Sequence, residues 1–409
     1  MPKEYVNELR PELVGVHSLN FGIAHNSPSR SQMMGSHLSQ KLVIHGSEPA
    51  RTQTGAEQEF GKSTFAVKMP ANGRIIQVIE RYPRGVSEGS LNFNPETLVV
   101  FEHDDTKQID CFTIPYHSSY HQFFGYKNEM KDGISKLVPH AYIAKGTVFC
   151  DTPANKDGNY TYGVNLNTAL MSVPGVSEDG IIIARDVLPK LRFNIYETRT
   201  ADFGSKTYPR FIYGNMPFPE IGDEVRPDGL LMAFRTYEED LSPVEMGIND
   251  IHNVDYTFDR CLYAREEQVY IDEQGNKHVK RGRIVDIKVI ANNELSRKLP
   301  KQIAAPFEKY AKAYRQYFLN LLALEQRLSY ERKKKFGDPT LNISPMLQSL
   351  LVEARAIVNH QSRDLKGTLN LIHRRAPLDE YSITFTIEYE ITPNIGFKLS
   401  GNSGDFLIK

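Results

Sequence analysis

The chain has 409 residues, 40% of them hydrophobic and 24% charged, the composition of a globular protein with room for about two to three compact units. Lys and Arg (49) balance Asp and Glu (50), so no global basic field advertises nucleic acid; such a contact has to be local or shared with partners. The three cysteines, Cys111, Cys150 and Cys261, are far apart and odd in number, which argues for a reducing compartment and against a disulfide framework or a zinc site. No apolar run reaches about 18 residues, and "MPKEYVNELRPE" lacks the apolar core of a signal peptide. The chain is therefore expected to be soluble and cytoplasmic, with no membrane partner.

In chain order, "ELVGVHSLNFGIAH" (12–25) reads as a short strand and turn. A helix then starts at Ser27, a capping residue, with Pro28 in the first turn. Arg30 falls in that turn, and Met33, Met34, Leu38 and Leu42 form the expected buried stripe. From 64 to 190 the signal is mainly β: "STFAVKM", "GRIIQVIE", "TLVVFEH", "GTVFCDT", "NLNTALMSV" and "GIIIARDV". It continues through "IGDEVRPDGLLMAFR", "EQVYIDEQGNKHVK", with a hairpin turn at "DEQGNK", and "GRIVDIKVIA". Near 295 the pattern changes. Phe307, Tyr310, Tyr314, Phe318, Leu321, Leu324 and Leu328 recur at helical spacing. "FGDP" ends that helix, and Ser344–Pro345 starts another with Leu347, Leu351, Ala354 and Val358 on its seam, so a helical hairpin is expected. Alternating β signal returns in "YSITFTIEYEI" (381–391), and the chain closes on the glycine-punctuated "TPNIGFKLSGNSGDFLIK".

Four constellations carry chemistry. Arg30 at a helix start can offer a planar fork to phosphate, reinforced by the helix N-terminus. Glu178 and Asp179 lie between a Pro/Gly turn and the apolar run Ile181–Ile183, which reads as a buried strand. Lys398 is framed by Gly396, Gly401 and Gly404, which let backbone approach a phosphate. His117 and His121 have the spacing of a helical metal pair, but nothing nearby completes a site. The run "EHDD" (102–105) reads as a solvated loop, and Arg332–Lys335 as a solvated end of the hairpin, with a nucleic-acid patch as the alternative. Residues alone leave each of these open as ordinary surface or turn chemistry. Acids that hold a metal, with Arg and Lys neutralising phosphates, are nevertheless the parts of nucleotidyl transfer.

Six segments, taken in order, resemble the bacterial RNA polymerase β subunit: "HNSPSRSQMMGSHLSQKL", "EPARTQTGAEQ", "GVNLNTALMSVPGVSEDGIIIARDV", "EIGDEVRPDGLLMAFR", "RGRIVDIKVI" and "YSITFTIEYEITPNIGFKLSG". The lobes that precede this region in the family, and its C-terminal clamp connection, are not matched. The chain thus resembles one piece of the split β subunits of giant-bacteriophage polymerases. The resemblance implies a mixed, β-rich α+β fold, with a double-psi β-barrel region at 1–190, a flap-like domain at 191–295, a helical hairpin insertion at 296–370, and a returning barrel strand with a Lys-bearing loop at 371–409.

The resemblance also implies roles. Arg30 matches the arginine near the incoming triphosphate. Glu178 and Asp179 match the acids of the FED motif, near the nucleotide-bound second Mg²⁺. Lys398 matches the first of two active-site lysines. Gln40 or Lys41 would face the RNA 3′ region. The second lysine's position holds Phe406, and the family's Arg-His pair becomes Asn402–Ser403; either Lys409 substitutes or another chain completes the loop. The implied function is templated nucleotidyl transfer in a multisubunit enzyme. A β′-like chain would hold the primary Mg²⁺, and other β-like chains, a promoter-specificity subunit, DNA template, RNA transcript and NTPs would be partners. Host cytoplasm is the implied location, with virion packaging left open. The chain alone would be inactive. The competing reading is a non-catalytic nucleic-acid-binding or structural protein with a degenerate barrel.

Overall fold

The computed structural model describes residues 15–63, 66–82, 95–119, 124–171, 182–203, 207–236, 260–264, 268–271, 277–291, 301–359, 381–393, 398–401 and 404–407. Segment 12–25 does not supply a strand among these: Gly15–Leu19 and Ile23–His25 are short 3₁₀ turns. Gly15 and Gly22 take φ of 59° and 82°, which breaks an extended run. Helix α1 (Pro28–Ser39) starts as expected, with Ser27 Oγ accepting the Arg30 amide at 3.4 Å. Its buried face differs from the expected stripe. Met33 and Met34 are exposed, while Ser31 and Gly35 are buried and Leu38 is half-buried. Gly35 explains the choice: a Cβ there would sit 2.1 Å from His17 Nε2, so the helix packs its small-residue row onto the preceding turn.

Two antiparallel sheets organise the core. In chain order their strands are β1 (Gly73–Glu80), β2 (Glu96–His103), β3 (Ile109–Pro115), β4 (His117–Ser119), β5 (Phe124–Lys127), β6 (Tyr142–Ile143), β7 (Phe193–Phe203), β8 (Arg283–Ala291) and β9 (Tyr381–Ile391). One sheet runs β3–β2–β1–β6 and the other β8–β9–β7–β5–β4. β9 is central to the second. It pairs with β7 along its whole length and with β8 on its other side. Its alternation is realised: Tyr381, Ile383, Phe385, Ile387, Tyr389 and Ile391 are buried, and the residues between them are half-buried. Strands from 117–127, 193–203, 283–291 and 381–391 thus share one sheet. The coarse class is the expected one, β-rich with a few helices.

Several expected strands are absent among the described residues. Within "NLNTALMSV", residues 165–171 are irregular, and Leu170 and Met171 are exposed. In "GIIIARDV", Ile182 is exposed and outside any strand, and the chain enters a 3₁₀ turn at Arg185–Leu191. A strand needs a neighbour for its N–H and C=O groups, and no described strand lies beside these segments. Conversely, β3 and β7 were not read from the sequence. His117 lies on strand β4 rather than on a helix, and His121 lies outside the described residues. The His117 ring stacks on Tyr196 at 4.2 Å between centroids, and burial lowers its pKa to about 4.

Helix α2 (Ala56–Ser63) packs beside the β-rich N-terminal part. The helical hairpin is present as expected: α3 (Lys301–Phe336) and α4 (Pro345–Asn359). Gly337, with φ of 76°, ends α3, and Ser344 Oγ accepts the Leu347 amide at 3.1 Å to start α4. At about 1.5 Å per residue, α3 is about 54 Å long, enough to serve two cores. Its first half contributes Phe307 and Tyr310 to an aromatic core with Phe203, Phe218, Phe234, Tyr381 and Phe385. Its second half joins α4 over the other sheet, where Phe318, Leu321, Leu324, Leu347 and Leu351 cover Ile79, Leu98 and Val100.

Arg81, only 3% exposed, sits where these layers meet. It donates from one guanidinium nitrogen to Asp286 Oδ2 and from another to Glu96 Oε2, both at 2.7 Å. Tyr314 and Tyr317 of α3 lie within 5.4 and 5.9 Å of its carbon. Burial opposes the charge, but the two carboxylates outweigh it and raise the Arg81 pKa. Removing one partner of a buried pair leaves the other uncompensated. Arg81→Met is therefore expected to lower stability by about 3–5 kcal/mol, read from urea unfolding at pH 7. A loss below about 1 kcal/mol would place the pair among weak surface bridges instead.

Candidate functional site

The described candidate residues lie in two places, α1 with its exit and the hairpin opened by Lys398. Arg30 is exposed in the first turn of α1, where the helix dipole favours an anion. Gln40 closes the same helix, donating its amide to Ser36 O at 3.2 Å, and its side chain is exposed. Ten residues of helix separate the two by about 15 Å, so they serve opposite ends of any shared ligand. Lys398 opens a β-hairpin in which it pairs with Leu407, and Gly401 pairs with Gly404. Asn402, Ser403, Glu178, Asp179, Ile181 and Lys409 lie outside the described residues, as do the side chains of Lys398 and Phe406.

The stems that flank 172–181 are nevertheless tied to the segment following α1. Glu48 accepts from Lys190 Nζ at 2.7 Å on one oxygen and from Asn165 Nδ2 at 3.3 Å on the other. Lys190 and Asn165 together hold its carboxyl below the usual range. Gly46 donates its amide to Lys190 O, and a Cβ at Gly46 would fall 2.4 Å from that oxygen. The amide of His45 reaches Arg192 O at 2.8 Å. Residues 45–48 therefore clasp both approaches to the acidic segment and bring them alongside the α1 exit.

From this clasp a polar chain continues into the sheet. The His45 ring bonds Asn194 Oδ1 at 2.9 Å, Asn194 Nδ2 donates to Glu388 Oε1 at 2.8 Å, and Tyr196 OH donates to the same oxygen at 2.7 Å. None of these four residues stood out in the sequence. A signal was available only in hindsight: Tyr196 and Glu388 fall at facing register positions of β7 and β9, and pairing register is invisible in a linear reading.

Lys41 has an unusual environment. Its ammonium lies 4.1 Å from the Tyr160 ring centre and 4.6 Å from that of Tyr162, and Nζ is buried without a hydrogen-bond acceptor among the described residues. The Glu57 carboxylate, which acts on Tyr162, is committed elsewhere. It accepts the amides of Thr54 and Gly55 at 3.1 and 2.9 Å, a capping box legible in "TGAE". Two aromatic faces compensate only part of the lost hydration, and burial pushes the Lys41 pKa down to about 7. Cys111 and Cys150 are likewise buried, which pushes their thiols up to about 12 and about 11. Neither is poised as a nucleophile. Among the described residues no group of three His, Cys, Asp or Glu gathers to hold a metal, and no helix is long and apolar enough to cross a membrane.

The chain is similar to part of a bacterial RNA polymerase β subunit. The match, to the DNA-directed RNA polymerase subunit beta of Carsonella ruddii (strain PV), is 23% identical over 207 residues, 48% of this chain. It covers 14% of that much longer protein. No protein-family model matches the chain.

The environment of Lys41 makes a prediction whose sign is fixed. Its folded pKa lies below the ordinary 10.5, so between about pH 7 and 10.5 the unfolded chain holds a proton that the folded chain has released. Stability therefore rises with pH across that window, and the full cost of burying the ammonium is carried below it. Lys41→Met is expected to raise the melting temperature at pH 6 and to flatten the rise between pH 7 and 10. Thermal unfolding at a series of pH values checks both; a lower melting temperature at pH 6 would contradict the burial argument.

Proposed function

We propose that this chain is one piece of a divided β subunit of a multisubunit DNA-directed RNA polymerase, of the kind found in giant bacteriophages. The observation that carries the reading is the similarity over 207 residues to a polymerase β subunit, joined by six resembling segments in the same order. On this reading residues 1–190 and 371–409 contribute to a double-psi barrel, 191–295 form a flap, and 296–370 are an insertion. The β-rich mixed fold is compatible with that assignment.

The chemistry proposed is attack of the RNA 3′-hydroxyl on the α-phosphate of an NTP, with release of pyrophosphate. Arg30 would donate its fork to the triphosphate at the N-terminus of α1, and Lys398 would add a point charge from the glycine-framed hairpin. Glu178 and Asp179 would face the nucleotide-bound cation, while the main ligands of the catalytic Mg²⁺ belong to a β′-like partner. That ion, when bound, neutralises phosphate charge and activates the attacking hydroxyl. Of Gln40 and Lys41, Gln40 has the exposed side chain that can reach an RNA end. The chain's own contribution is positioning and charge neutralisation, where one lost contact typically costs about 10²–10³ in rate.

Affinity purification of the tagged chain from cells that produce it, followed by mass spectrometry, is expected to recover β′-like and further β-like chains; a stable monomer without polymerase partners would overturn the reading. In the assembled enzyme, Glu178→Ala with Asp179→Ala is expected to slow elongation by about 10²–10³. An unchanged elongation rate would remove these acids from the site while leaving subunit membership intact.

A further inference from the structure

The far end of the helical hairpin carries a dense run of basic residues. Helix α3 carries nine Lys or Arg and three Glu in a chain whose formal net charge is −1. Four of the nine are consecutive, Arg332 to Lys335, and Lys333, Lys334 and Lys335 are exposed. One or two cations in the last turn of a helix complement its dipole. That effect does not account for two aromatic rings held in water beside them. Tyr330 is 69% exposed and Phe336 75%, and they bracket the basic run.

A cavity of about 540 Å³ opens beside these residues, between the last turns of α3, the 337–344 connection and α4. Tyr330, Lys333, Leu341, Ile343 and Arg355 line it, with Glu325. Arg355 is oriented by Glu325, to whose two carboxylate oxygens one guanidinium nitrogen donates at 2.5 and 2.7 Å. The volume falls in the range of sites for small organic groups. Its lining offers an aromatic face, an apolar wall and a free ammonium within one turn of helix.

We propose that this end of the hairpin binds a single strand of nucleic acid, with Lys333–Lys335 along the phosphates and Tyr330 stacking an unpaired base at the cavity. Charge complementarity selects a polyanion, and the exposed rings select one with flat faces to stack on. A duplex offers the charge without accessible base faces, so single strands are preferred. An acidic polypeptide offers the charge without the stacking. The proposal stands on the hairpin and does not depend on the polymerase reading.

Fluorescence anisotropy of the full chain with a labelled 20-nucleotide single strand, over a salt series, tests it. Wild type is expected to bind in low salt more tightly than to a duplex of equal length or to polyglutamate. Lys333→Gln with Lys334→Gln and Lys335→Gln is expected to reduce the slope of log affinity against log salt by about 2, since each single-strand phosphate contact contributes about 0.7. Tyr330→Ala is expected to weaken binding about 5- to 150-fold with the slope unchanged. Both variants alter exposed side chains, and circular dichroism checks that they fold. Unchanged affinity in the triple variant, an equal loss from neutralising Lys107 and Lys136 elsewhere on the surface, or equal binding to polyglutamate would each overturn the proposal. Because the isolated chain is the reagent, failure here leaves co-purification with polymerase chains unaffected, and the converse holds.

Discussion

Arg81 joins the β1–β2 hairpin to β8 and α3, which lie some two hundred residues further along the chain. Its own position is at the end of β1, Asp286 lies on β8, Glu96 begins β2, and the rings of Tyr314 and Tyr317 come from α3. Only a guanidinium can serve all of them, because its planar fork presents separate donors in different directions while its face stays open to aromatic contact. The neighbouring Tyr82 adds a second tether, its hydroxyl donating to Ile287 O at 2.7 Å. The two sheets are thereby fixed to each other at one buried point, and α3 is fixed over both. Everything that depends on the hairpin's direction, including where its basic end projects, depends on this junction.

The same fold shows how much a linear reading can reach. The helical hairpin was legible because one face of α3 repeats Phe307, Tyr310, Phe318, Leu321 and Leu324 at helical spacing, and burial follows that spacing. β9 was legible for the corresponding reason at a period of two. β7 was missed because its burial does not alternate, and β3 because its alternation is broken at Cys111 and Phe112, both buried. Phe193 to Tyr196 are all buried in succession, as expected of a strand covered on both faces. The reading of Met33 and Met34 as core failed for a different cause. The contact that orients α1 is a missing side chain, Gly35 against His17, and hydrophobicity carries no record of it.

The candidate residues were chosen for their chemistry, and their geometry was not legible in the sequence. Arg30, Gln40 and Lys41 lie on or beside one helix because they are close in sequence, yet that closeness places the ends about 15 Å apart. What ties α1 to the approaches of the acidic segment is the clasp at 45–48, through Glu48, Gly46 and His45, with partners more than a hundred residues away. Such contacts follow from register and long-range packing. No local motif announces them.

Arg30 in the first turn of α1 and Lys41 just beyond its end differ in the work they can do. A guanidinium holds its charge at any physiological pH, and Arg30 is exposed at the helix end whose amides attract anions. Lys41 follows the opposite end, where the helix dipole disfavours an anion, and it has surrendered hydration to two tyrosine rings. With its pKa near 7, it carries only part of a charge at neutral pH, and drawing it outward toward a phosphate would forfeit both ring contacts. Arg30 is therefore the better placed of the two to meet an anion, while Lys41 stays against the Tyr160 and Tyr162 rings. Proximity in sequence made the two look interchangeable, and desolvation separates them.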